Sequence, residues 1–205
     1  MRTRKIPEPA LPTLDQLEKA RTCFEAYEPR DLFYRAATEL VSLALQGKTE
    51  LSVGEAIAVL LKSWNAQYYR FHGFNAQHFN AIDNVIAIHR AALDAYRSRS
   101  IISMNTEDSD TIGKLFKDFE LVLGPVGAAK ALHLLAPEFF PLWDREIAKG
   151  HGIYLANAGQ NGSKYVDFMK IAVSKIQNVC PPSDLKTILK CIDELNYCRF
   201  TKGWI

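Results

Sequence analysis

Along most of this chain, apolar residues recur every three or four positions, and that spacing dictates a protein built from helices. Phe33, Ala36, Ala37, Leu40, Val41, Ala44 and Leu45 form one stripe, closed by Gly47, where a left-handed helix end costs glycine little. Val53, Ala56, Ile57, Leu60, Leu61, Trp64 and Tyr68 form a second, and Phe79, Ile82, Ile86, His89, Leu93 and Tyr96 a third. A fourth runs through Ile112, Leu115, Phe116, Phe119, Val122 and Leu123, behind the capping cluster Asp108-Ser109-Asp110. Tyr165, Phe168, Met169, Ala172, Val173 and Ile176 follow. Leu185, Ile188, Leu189, Ile192 and Leu195 come last, after Pro181-Pro182-Ser183. No segment shows the two-residue alternation of a half-buried strand. The spacing therefore predicts an all-α, multi-helix fold, and no linker divides residues 1–205 into separate domains.

Composition narrows the functional classes only slightly. With 48% hydrophobic and 23% charged residues, the chain is neither disordered nor fibrous. Its 25 Lys+Arg against 23 Asp+Glu give a formal charge of +2, so any polyanion would have to meet a local basic patch. Lys114, Lys117, Lys130, Arg145 and Lys149 are the candidates for that patch, and solvated helix faces explain them equally well. The start, Met1-Arg-Thr-Arg-Lys-Ile-Pro-Glu-Pro9, is basic without an apolar run, which does not read as a secretory signal. No window approaches the roughly eighteen apolar residues of a membrane span, so no membrane partner and a cytoplasmic location are expected. Cys23, Cys180, Cys191 and Cys198 contain no C-x-x-C pair, which predicts reduced thiols. No cofactor or metal is expected. His89 and His133 lie on apolar faces, where a satisfied core histidine is commoner than a ligand, and His72 and His78 have no ligand spacing.

One segment carries chemistry. Gly124-Pro125-Val126-Gly127 permits a tight turn after an apolar helix, and Ala128, Ala129 and Ala131 allow the next helix to approach closely. Amides near Gly127 and Ala128, free at that helix start, suit one phosphate of a nucleic-acid backbone. A common glycine corner between helices is the plain alternative. Pro137 to Pro141 then hold an extended stretch, and Asp144 precedes a short helix predicted over Arg145 to Lys149. Aspartate is a favoured N-cap, which by itself explains Asp144. An N-cap carboxylate is also a fixed negative charge, of the kind that stabilises a developing cation.

In register, Leu123-Gly-Pro-Val-Gly-Ala-Ala-Lys-Ala131 resembles the hairpin of the helix-hairpin-helix DNA glycosylases, L-P-G-V-G-x-x-T-A. Pro141-Leu-Trp-Asp144-Arg-Glu-Ile147 is similar to the family's apolar segment around its catalytic aspartate. The resemblance implies a hairpin that grips duplex DNA through Gly124, Val126, Gly127, Ala128 and Lys130. It further implies a base flipped into a cleft between two helical lobes, with Asp144 assisting its loss. This chain departs from the family pattern in three ways: Gly-Pro replaces Pro-Gly, the hairpin-to-aspartate interval is shorter, and Ala129 stands where bifunctional members carry a Schiff-base lysine. Lys130 follows one position later, about 100° round a helix, and is expected to point away. The implied chemistry is therefore monofunctional excision.

Around that segment, Tyr69 and Phe71 lie off the second apolar stripe and are free to touch a flipped base, whereas Trp64 and Tyr68 are expected in the core. Trp143 adjoins Asp144, and His151 follows it in the loop Gly150 to Ser163. All four of Tyr69, Phe71, Trp143 and His151 are pocket candidates. Two other functional classes fit the same residues: a helical DNA-binding module without catalysis, and a helical domain that binds a small molecule or a protein.

Overall fold

The computed structural model describes residues 12–176 and 187–205. The basic start, Cys180, Pro181-Pro182-Ser183 and Leu185 lie outside those residues. Among the described residues every regular element is helical, so the fold is all-α. In chain order the helices are α1 (Leu14–Tyr27), α2 (Asp31–Leu45), α3 (Val53–Trp64), α4 (Ala76–Ile88), α5 (Arg90–Arg97), α6 (Asp108–Leu135), α7 (Arg145–Gly150), α8 (Gly162–Ile176) and α9 (Ile188–Asn196). None is long and apolar enough to cross a membrane.

Local chemistry sets most boundaries. Thr13 and Gln16 cap α1 reciprocally, each side chain accepting the other's backbone N–H at 3.2 Å, and Ser52 and Glu55 do the same for α3. Gly47 takes φ +66 just beyond α2, as its position predicts. Helix α1 escapes the periodicity reading because its buried face is only Leu17, Ala20 and Phe24. The α2 stripe buries Ala37 and Val41 as expected, but its first member is Tyr34, which is buried, and not Phe33, which is exposed. Tyr34 stacks on Trp64 and its hydroxyl meets His133 Nε2 at 2.9 Å, which a phenylalanine cannot do. The single stripe from Phe79 to Tyr96 is divided at His89 into α4 and α5.

Helix α6 lies at the centre, against α2, α3, α4, α5 and α8, while α1 packs on α9. Phe116 of α6 stacks on Tyr165 of α8 at 4.2 Å, with Trp143 edge-on to both. Each such ring adds roughly 1.5–3 kcal/mol of burial, so this cluster anchors the segment that carries Asp144. The long loop before α8 is fixed from below: Glu120, fully buried, accepts from the backbone N–H and the side-chain amide of Asn161.

Candidate functional site

Helix α6 is two arms joined at Gly124, whose φ of 68° and ψ of 169° are open to glycine and strained for any side chain. Pro125 then opens the second arm, where its missing N–H leaves nothing unsatisfied. Three side chains fasten the bend through its carbonyls: Tyr68 Oη donates to Val122 at 2.7 Å, Asn65 to Leu123 at 3.4 Å and Trp143 Nε1 to Pro125 at 3.0 Å. The Trp143 bond ties the aspartate segment directly to the bend. Asp144 caps α7, its Oδ1 accepting from Ile147 N at 2.8 Å and its Oδ2 from the Thr201 hydroxyl at 2.8 Å.

The bend and the carboxylate open onto one cavity of about 600 Å³. Gly124, Val126, Lys130, Trp143 and Asp144 all line it. Among the aromatic residues on its wall are Phe24, Trp64, Tyr68 and Tyr197. Its charged lining is balanced: Arg30, Lys130, Arg145 and Lys202 face Glu28, Asp144, Glu146 and Asp193. The wall is thus not a purely cationic groove.

Lys130 departs from the sequence expectation. It does not point away but into the cavity, because Val126 and Lys130 are four residues apart on the second arm and share a helix face. Its ammonium donates to the Trp64 carbonyl at the end of α3, and the side chain is 9% exposed. Burial pushes this amine down to about 8, against the opposing pull of Asp144 and Asp193. Gly127 and Ala128, expected to offer amides to phosphate, are buried and do not line the cavity. Asn65 packs on Gly127 so closely that an added Cβ would lie 2.9 Å from its Nδ2.

The aromatic assignments also change. Tyr69 is buried away from the cavity, its hydroxyl 2.9 Å from His78 Nε2, and Phe71 is 80% exposed on the connector after α3. Trp64 and Tyr68, read from sequence as core, do pack against it and also form part of the cavity wall. Trp64 Nε1 donates to the Arg30 carbonyl at 2.9 Å, which turns the indole toward the bend. His151 lies outside the cavity, between Lys175 Nζ at 3.0 Å and Asn196 Oδ1 at 3.3 Å. Burial first, then Lys175, pushes it down to about 4. Lys149 pairs with Glu146 but does not itself line the cavity, and of the sequence-predicted patch only Lys130 and Arg145 reach it.

The opposite wall was not legible in the sequence. Glu28 accepts two bonds from the Arg30 guanidinium, at 2.7 and 2.6 Å, and one from Tyr197 at 2.6 Å. Burial alone would raise this carboxyl, but those donors outweigh it and hold it down to about 2. Asp193 of α9 stands beside Lys190, whose ammonium is 3.4 Å from Asp31, 3.5 Å from Asp193 and 3.4 Å from Glu194. The rings of Phe24, Tyr34 and Trp64 surround the same ammonium. Burial alone would lower Lys190; the carboxylates outweigh it and keep the cation charged. Burial pushes Asp193 up to about 6, with Glu194 and Asp144 adding to the rise and Lys190 and Lys130 opposing it. A periodic reading conceals Lys190, Asp193 and Glu194 because they are spaced like a helix face within an apolar stripe. Among the described residues no His, Cys, Asp and Glu cluster could hold a metal, and Lys190 already fills the carboxylate cluster. No protein-family model, curated protein or solved structure matches this chain.

Proposed function

We propose that this protein excises a base from DNA, as the glycosylases resembled by its bend and aspartate segment do. The observation that carries this reading is the shared cavity: Asp144, Trp143 and the Gly124–Val126 corner meet at one opening of nucleoside size. A flipped nucleotide would place its base against Trp64, Tyr68 and Trp143 and its sugar beside Asp144. The carboxylate then stabilises the oxocarbenium-like sugar as the glycosidic bond breaks, and water captures it. The backbone of the partly exposed Gly124–Val126 corner, with Arg145 and Lys202 at the rim, meets the phosphates. The test is single-turnover excision from duplexes carrying uracil, hypoxanthine, 8-oxoguanine or 7-methylguanine. Asp144→Asn is expected to slow cleavage by about 100-fold or more while duplex binding persists. Unchanged cleavage by the variant, or no cleavage of any duplex by the wild type, overturns the proposal.

A second reading rests on Lys130. An amine held near 8 on the same cavity as Asp144 supports a nucleophilic role. Nζ would bond to C1′ as the base leaves, lose its proton, and form an imine when the sugar ring opens. Borohydride present during the reaction is expected to reduce that imine and link protein to DNA, and Lys130→Met to abolish the link. Base release without any trapped species returns the site to monofunctional chemistry.

A further inference from the structure

The cavity holds a second carboxyl whose surroundings differ from those of Asp144. Asp144 receives two hydrogen bonds, from Ile147 N and Thr201 Oγ1. Asp193 is 7% exposed, its Oδ2 lies 3.5 Å from Lys190 Nζ, and its other oxygen takes no hydrogen bond among the described residues. Lys190 faces three carboxyls, Asp31, Asp193 and Glu194, with its side chain wholly enclosed. Asp193 itself is enclosed beside Glu194 and within reach of the Asp144 charge, and burial together with these like charges favours a proton on it. Of the three, only Asp193 lines the cavity shared with Asp144 and Lys130. Two carboxyls in one site with environments of opposite kind divide naturally into an acid and an electrostatic partner.

We propose that Asp193 is the general acid of this site, a protonated carboxyl that passes its proton to the nitrogen of the departing base. The assignment rests on the base-excision reading above. As the bond between C1′ and the base nitrogen breaks, its electron pair goes to the base, which takes the Asp193 proton and leaves neutral. The new Asp193 carboxylate is stabilised by Lys190. Asp144 balances the sugar cation until water adds to C1′, and the proton released by that water passes to solvent. Solvent then reprotonates Asp193. The charged and titratable groups that govern this cycle are Lys190 and Glu194 from α9, Arg21 from α1 (which acts on Glu194), Asp31, Tyr34 and Arg35 from α2, Lys130 from α6, Asp144 at the start of α7, and Glu28, Arg30 and Tyr197 on the wall.

The test compares single-turnover excision of a neutral base, whichever of hypoxanthine, uracil or 8-oxoguanine is cleaved, with that of 7-methylguanine. The latter already carries a positive charge and departs neutral without a proton. For the neutral base the wild-type rate is expected to fall about tenfold per pH unit above about pH 6, since the protonated acid is the active form. Asp193→Asn is expected to lose about 100-fold or more on that base and to lose the pH limb. On 7-methylguanine the variant should stay within about threefold of wild type, whereas Asp144→Asn lowers both reactions. Equal losses on both bases, or a wild-type profile without the falling limb, overturn the role of Asp193. The wild-type profile decides this even if the variant does not fold. Normal losses in Asp144→Asn then leave the base-excision reading standing. Absence of all excision removes that reading and this assignment together.

Discussion

Lys130 and Lys190 are both buried lysines near one cavity, yet their surroundings push their pKa values in opposite directions. Lys130 has one backbone carbonyl and the Trp64 ring as its partners and feels Asp144 and Asp193 only at longer range, and burial pushes its amine down to about 8. Lys190 has three carboxylates within 3.5 Å and three aromatic faces around it, and it stays charged. Burial is common to both, so the number of close counter-charges decides the outcome. The first arrangement leaves an amine ready for chemistry. The second makes a structural clamp that joins α9 to α2 and stabilises the carboxylate form of the neighbouring Asp193.

Paired substitutions test that contrast most strongly. Lys190→Met removes the cation and leaves Asp31, Asp193 and Glu194 facing one another in the interior. Breaking such a cluster from one side is expected to cost about 3–5 kcal/mol in urea or thermal unfolding. Lys130→Met removes one hydrogen bond to a carbonyl at the edge of a cavity, for a cost of about 1 kcal/mol. Comparable losses in the two variants would break the comparison, since Lys130 would then be as firmly paired as Lys190.

The same contrast explains how much could be read from the sequence. Seven helices were announced by stripes or caps, because a three–four repeat of apolar residues has few other solutions. Asp144, Trp143, Gly124 and Val126 also converge as their order suggested: a glycine corner, a proline-held stretch and a capping aspartate are local devices, each visible within a few residues. Lys130 was misplaced because its direction depends on where the second arm begins, and Pro125 sets that phase only after Gly124 has broken the helix. Trp64 and Tyr68 pack on the core as their stripe predicts, but their second place on the cavity wall has no signature in it. Their stripe is apolar, but its last turn passes the end of the core and becomes cavity wall. Asp31, Glu28 and Thr201 give no signal, because each meets a partner far away in the chain: Lys190, Tyr197 and Asp144. Ion pairs between distant segments carry no periodicity.

His133 sharpens the comparison on a smaller scale. It lies three residues after Lys130 on the same arm, and like Lys130 it lacks a close counter-charge. The ring is fully buried between the Tyr34 hydroxyl at 2.9 Å and the Phe140 carbonyl at 2.8 Å. Nδ1 therefore donates to Phe140 and Nε2 accepts from Tyr34, a neutral ring with both nitrogens satisfied. Burial pushes its pKa down to about 4 from 6.5, and Lys190 adds to the fall. The unfolded chain thus binds a proton in this window that the folded chain refuses. The contribution is fully present above about pH 6.5 and is lost as pH falls toward 4, reaching about 3 kcal/mol. Asp193 has the opposite sign: its raised pKa makes the folded state the better proton binder between about 6 and 4, so it gains stability as pH falls. The wild-type curve contains both terms, and the difference between wild type and His133→Gln isolates the first. That difference is expected to be largest at neutral pH and to shrink by about 3 kcal/mol by pH 4, read from urea unfolding across the range. A difference that does not change with pH would mean the ring gains a proton without penalty, and counter-charge would no longer account for the two lysines.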